Sequence, residues 1–161
     1  MRCTLWLLPL LLGCPPVLDN GDPGDDDATA DDDDIVGPCG VEDLELLAVV
    51  RGPNGDTGPY FMPGEALEAG GILWNPCPVA QSFETRSGCL LDTWEVYDAA
   101  GQALDGRGCD DAITWWTLES GGSLEDMVPI GAPPLGDYAL NVGFGGGQWA
   151  EASFSILAPP G

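Results

Sequence analysis

The chain has 161 residues, with 27 acidic side chains against 4 basic ones, no histidine and a formal net charge of −23. All the basic residues are arginines: Arg2, Arg51, Arg86 and Arg107. This composition excludes nucleic-acid binding through a basic patch, which needs Lys or Arg to displace phosphate counterions. It also excludes catalysis by a His base or a Lys nucleophile, His-containing zinc sites and charge-driven docking on an anionic membrane.

Residues 1–13 read as an export signal. Arg2 supplies the charged start, and the apolar run from Leu5 to Leu12 follows it. That run falls short of the roughly 20 residues needed to span a bilayer. It ends in Leu11-Leu12-Gly13-Cys14, which resembles the lipobox of bacterial lipoproteins, with Leu12 bulkier than the small residue usual at that place. The resemblance implies cleavage before Cys14, a diacylglycerol on its thiol and an acyl chain on its new amino group. Several acyl chains anchor far more firmly than one, because each buried methylene contributes about 0.8 kcal/mol. The protein is therefore expected in a bacterial cell envelope, attached to the membrane through its N-terminal lipid. Position 15 is Pro and not the Asp that commonly retains such proteins at the inner membrane, which favours the outer membrane in a Gram-negative cell.

Residues 14–37 comprise this Cys and an acidic tether. From 15 to 37 the chain reads PPVLDNGDPGDDDATADDDDIVG, rich in Asp and without a basic residue. Such a segment buries too little apolar surface to offset its ordering entropy, and its charges repel, so a disordered and extended spacer is expected. Fully stretched it reaches on the order of 75 Å at about 3.3 Å per residue. It is not an EF-hand loop. Counted from Asp19, the ligand positions fall on Gly21 and Pro23, and the closing Glu is replaced by Ala30. No metal and no cofactor is expected.

Residues 38–161 are long enough for one core and too short for two. The dominant hydrophobic period is two. Tyr138, Leu140, Val142 and Phe144 alternate with small or polar residues, as do Ala150, Ala152, Phe154 and Ile156, and Leu90, Trp94 and Val96 follow suit. These are half-buried strands. Weaker strand candidates cover 42–51, 66–74, 81–86, 102–104, 113–119 and 124–130. Turns are expected at Asp98–Gly101, Gly121-Gly122 and Gly145–Gly147. No window carries a helical stripe. Eight or nine short strands at this spacing predict an all-β, immunoglobulin-like antiparallel β-sandwich.

Once Cys3 leaves with the signal and Cys14 is lipidated, Cys39, Cys77, Cys89 and Cys109 remain. They allow three pairings. A hairpin turning between Ala99 and Ala100 places Cys89 opposite position 110, which favours Cys89–Cys109 and leaves Cys39–Cys77. A four-thiolate metal site does not suit this spacing or an oxidising compartment.

Three segments carry a family resemblance: LEAGGILWNPCP from Leu67, DTWEVYDAAG from Asp92 and LGDYALNVGF from Leu135. Together they resemble the immunoglobulin-like sandwich of the intracellular proteinase inhibitor (BsuPI-type) family, over about 90 residues from 65 to 157. The resemblance implies the fold and, more remotely, protease inhibition. Export, the four domain cysteines and the Cys109-Asp110-Asp111 connection depart from it, and no inhibitory residue carries over.

Two places stand out as candidate binding elements. The loop GPNGDTGPYFMPG, 52–64, offers Tyr60, Phe61 and Met62 between prolines. It either presents these side chains or tucks them against a sheet edge. Trp115 and Trp116 are adjacent, so in a strand one enters the core and the other faces outward; packing of the outer one beneath a neighbouring loop is favoured over exposure. Asp56-Thr57-Gly58 spells the aspartic-protease triplet but lies among turn-forming residues and not at the end of an apolar strand. No pair of carboxylates is placed for glycoside hydrolysis, and the Gly145–Gly147 run lacks the Lys-Ser/Thr of a phosphate loop. The expected function is thus a non-enzymatic, membrane-anchored binding domain for a protein or glycan. An exported proteinase inhibitor of the same fold comes second, and a small aspartic-type hydrolase is a distant third.

Overall fold

The computed structural model describes residues 39–104 and 107–161; the expected signal, the lipidation site Cys14 and the tether lie outside them. A single 3-10 turn, Val41–Asp43, leads into ten strands: β1 Glu45–Arg51, β2 Tyr60–Phe61, β3 Leu67–Trp74, β4 Gln81–Thr85, β5 Thr93–Asp98, β6 Ala103–Leu104, β7 Thr114–Leu118, β8 Ser123–Gly131, β9 Gly136–Phe144 and β10 Gln148–Ile156. The described residues hold no α-helix. The molecule is all-β. One sheet has the order β1-β3-β8, a second β2-β10-β9-β5-β6, and β4-β7 form a two-stranded third.

The first two sheets face each other as an immunoglobulin-like sandwich. Between them lie Ala48 and Val50 of β1, Leu67 and Ala69 of β3, Trp94 and Val96 of β5, Leu140 and Val142 of β9, and Phe154 and Ile156 of β10. These residues recur at every second position because alternate side chains of a strand share a face. The Trp94 indole N–H donates to Ala69 O across the core at 2.9 Å. Tyr138, near the start of β9, returns its hydroxyl to Pro134 O at 2.9 Å. A buried core Trp and such a tyrosine corner are features of immunoglobulin-type sandwiches.

The small third sheet extends the first one around a bend. β3 pairs with β8 and β4 with β7, all antiparallel, so β3–β4 and β7–β8 form one folded ribbon. At the corner, Asn75 N donates to Gly122 O and Gly121 N to Asn75 O. Asn75 is fully buried, and its Nδ2 reaches Val79 O, Leu118 O and Glu119 O while its Oδ1 accepts from Cys77 N. A second apolar cluster fills the bend: Leu44, Leu73, Phe83, Leu90, Leu118 and Phe144.

Both favoured disulfides are present, Cys39–Cys77 with Cα atoms 5.8 Å apart and Cys89–Cys109 at 5.7 Å. The second forms by a different route from the one expected. The β5–β6 hairpin pairs Val96 with Leu104, one residue out of step with the predicted register, and its ladder stops there. The β4–β7 ribbon is what brings the two cysteines together, because Gly88 N donates to Asp110 O just beyond its last pair. The strand expected from Leu90 begins only at Thr93. The Leu90 and Leu91 amides are used instead by the carboxylate of Asp126, at 3.0 and 3.1 Å. Arg107 lies 2.6 Å from the same oxygen as an ion pair, without the direction of a hydrogen bond.

Candidate functional site

Loop 52–64 is ordered by its own backbone. Gly52 N donates to Asp56 O and Gly55 N to Gly52 O, and Arg51 bridges to Thr57. Asp56 therefore sits on an exposed turn, and no apolar strand leads into it. After this turn the chain runs beside β10 as β2, the one parallel pairing among the described residues, with Tyr60 level with Ser155 and Phe61 with Ile156. Ser155 N donates to Pro59 O and Leu157 N to Phe61 O.

That pairing decides the two readings of the loop residue by residue. Phe61 enters the core, only 5% exposed, and meets Phe154 edge-on at 6.2 Å. Its neighbours must then face outward. Tyr60 is 68% exposed and Met62 44%. Met62 is held by Glu65, whose carboxylate accepts the Met62 amide at 2.9 Å around a turn in which Gly64 has a φ of +87°.

Two further apolar side chains join them. Ile156 is level with Phe61 on one side and with Gly136 on the other. One residue beyond those pairs, just past the ends of β2 and β10 and just before β9, come Met62, Leu157 and Leu135. Leu135 is 60% exposed and Leu157 46%. Continued past the strand ends, the register places Tyr60, Met62, Leu157 and Leu135 as an exposed apolar patch at one end of the five-stranded sheet. A shallow depression of about 390 Å³ adjoins it, lined by Tyr60, Asp98, Asp137, Ser153 and Ser155 among others. Ser155 Oγ donates to Asp137 Oδ1 at 2.6 Å, and Asp98 Oδ1 accepts the amides of Ala100 and Gln102. The rim is acidic: Asp98, Asp137 and Glu65 border the patch, while Arg51 is engaged with Glu125 at 3.1 Å.

Trp115 and Trp116 behave as alternating strand residues. Trp116 packs against the second apolar cluster and donates its indole N–H to Thr85 Oγ1 at 3.0 Å. Trp115 points out and is 72% exposed, contrary to the expected cover by a loop. Leu135 and Leu157 were not picked out from the sequence. The signal that would have found them is their odd position in the period of β9 and β10, on the outer face.

Cys39 Sγ, Cys77 Sγ and a carboxylate oxygen of Asp43 lie within 4.8 Å of one another. The two sulfurs are bonded together, so a single oxygen donor remains, which does not make a metal site. No protein-family model matches the chain, and no curated protein matches it.

Proposed function

We propose that this protein is a lipid-anchored lipoprotein of the bacterial cell envelope whose immunoglobulin-like domain is a non-enzymatic binding module. The domain binds a protein partner through the patch of Tyr60, Met62, Leu135 and Leu157. The observation that carries this reading is the patch itself. Four large apolar side chains stand exposed side by side with a polar rim, an arrangement that marks protein–protein contact sites. Three of the four are not aromatic, so they cannot stack on sugar rings, which favours a protein over a glycan. The acidic rim suits a partner with basic groups around an apolar centre. The chain enters the domain at Cys39, beside β4, where Gln81 Nε2 donates to Cys39 O. The patch lies at the other end of β9 and β10 from Gln148, whose Nε2 donates to Glu42 O.

The test is a photo-crosslinking amino acid at position 135, in cells, on the full chain. A discrete adduct that disappears with Tyr60→Asp and Leu157→Asp but persists with Glu151→Gln is expected. Crosslinking that ignores both patch variants overturns the assignment of the site. Acyl mass at Cys14 on the membrane-extracted protein is expected, and its absence overturns the anchor.

A second reading, an exported proteinase inhibitor, is favoured by one observation. Tyr60 stands out from an extended segment between Pro59 and Pro63, the form in which a protease cleft receives a chain. Stoichiometric inhibition of a serine, cysteine or metalloprotease that is lost in Tyr60→Ala would replace the first reading by this one.

A further inference from the structure

A sheet edge is a row of unpaired backbone donors and acceptors, and folded proteins blunt such edges with charge, proline, shortness or cover. The edges here are mostly blunted. β2 and β6 are two residues long. β8 carries Pro129, which has no N–H to offer. β1 has charged ends, Glu45 and Arg51, and its middle residues Ala48–Val50 are buried. β4 is backed by the chain around Cys39. β7 is the exception. Its sequence, Thr114-Trp115-Trp116-Thr117-Leu118, holds no charge, Pro or Gly, and every one of its residues but Leu118 favours strands. Among the described residues its only strand partner is β4, and the backbone of Ile113–Thr117 makes no hydrogen bond outside that ladder. Alternate N–H and C=O groups therefore point away from the sheet.

The outward side chains say what would fit. Ile113 and Trp115 are exposed along β7 with Thr117 beyond them, and Glu84 lies directly across from Trp115. Glu119, Asp110 and Asp111 flank the strand, with Arg86 as the nearby cation. An exposed indole beside a carboxylate attracts a guanidinium or ammonium group, which stacks on the ring and pairs with the acid. A second copy of this chain is the wrong occupant, because each brings a net charge of −23.

We propose that the free edge of β7 is a second binding site, which takes an extended, basic segment of a partner protein by strand addition. The incoming chain continues the β4-β7 ladder through its backbone, as in other β-augmented complexes. Its Arg or Lys side chains lie over Trp115 and toward Glu84. This site is separate from the apolar patch on the five-stranded sheet and does not depend on it.

The test uses the full-length oxidised protein and three synthetic octapeptides: alternating Val-Arg, alternating Val-Glu, and the Val-Arg peptide with a central Pro. Tryptophan fluorescence follows binding, and amide hydrogen exchange locates it. The Val-Arg peptide is expected to bind and to slow exchange at least fivefold in residues 113–118. The Pro-interrupted and Val-Glu peptides are expected to bind at least tenfold more weakly. Trp115→Ala and Glu84→Gln are each expected to weaken the Val-Arg peptide at least threefold, whereas Glu151→Gln leaves it unchanged. Equal binding of the Pro-interrupted peptide, protection elsewhere, or no binding at 1 mM peptide overturns the proposal. So does a dimer in which residues 113–118 are already protected without peptide, since the occupant would then be a second copy.

Discussion

Tyr138 shows how much one polar atom settles in a small sandwich. Its ring is buried and stacks on Phe154 at 5.1 Å, while its hydroxyl donates to Pro134 O and closes the loop before β9. That loop sets Leu135 on the outer face. Burial holds the phenol above its usual value, and the charge of Asp98 adds to the effect. The folded state therefore keeps this proton more tightly than the unfolded chain, where it leaves near pH 10. Below that pH the contribution to stability is fully present, and it is lost as pH rises through the higher folded value. Urea unfolding between pH 9 and 12 is expected to show the loss in the native protein. Tyr138→Phe, lacking the titrating group and weakened by about 1 kcal/mol through its lost hydrogen bond, is expected to follow a shallower pH dependence. Equal slopes would show that Tyr138 does not titrate differently in the two states.

At the scale of elements, the bent ribbon β3–β4 with β7–β8 is the feature on which both proposed sites depend. It carries the β7 edge, and its long arm backs the core from which the patch-bearing strands emerge. Asn75 makes the bend. Its amide occupies three carbonyls at the corner, and its carbonyl takes the Cys77 amide. Asn75→Ala leaves those groups buried without partners, at about 1–3 kcal/mol for each one left unsatisfied. A loss of about 3 kcal/mol or more in unfolding free energy is expected, far above the ordinary surface substitution. Proteolysis is expected to speed up between 75 and 80 first. A loss under 1 kcal/mol would mean that water replaces the side chain. The two disulfides reinforce the same ribbon, Cys39–Cys77 beside the corner and Cys89–Cys109 at its open end.

For the whole molecule, charge outweighs every other surface property. The segment from 38 to 161 holds only three arginines, and two of them are engaged in ion pairs, Arg51 with Glu125 and Arg107 with Asp126. Most of its carboxylates have no ion-pair partner among the described residues. Self-repulsion of this kind destabilises a compact state and is screened over about 8 Å at 0.15 M salt. Raising NaCl from about 20 mM to 500 mM is therefore expected to raise Tm by about 4 °C, as about 1 kcal/mol does in a domain of this size. A fall in Tm would show that the two ion pairs outweigh the repulsion. The same field selects partners, since basic surfaces approach it faster than neutral ones and acidic ones are turned away.

Much of this architecture was legible in the chain alone. Period-two alternation named β9, β10 and most of β5, because a half-buried sheet must send every second residue inward, whereas β1, β3, β4, β7 and β8 were weaker candidates. The adjacent tryptophans were bound to part for the same reason. The cysteine pairing was also reached from the sequence, although through a hairpin register that proved one residue out of step. β2 was missed because two residues have no period, and their strand exists only because β10 lies beside them. Asn75 as a corner and Asp126 as the anchor of the Leu90–Leu91 amides were equally hidden, since each serves backbone groups distant in the chain. The patch of Tyr60, Met62, Leu135 and Leu157 is the clearest case. Local pattern, a property of neighbouring residues, determined the strands and the charge. Which outward-facing side chains stand together was decided only when pairing across strands brought Tyr60 and Met62 alongside Leu135 and Leu157, 73 to 97 residues further along the chain.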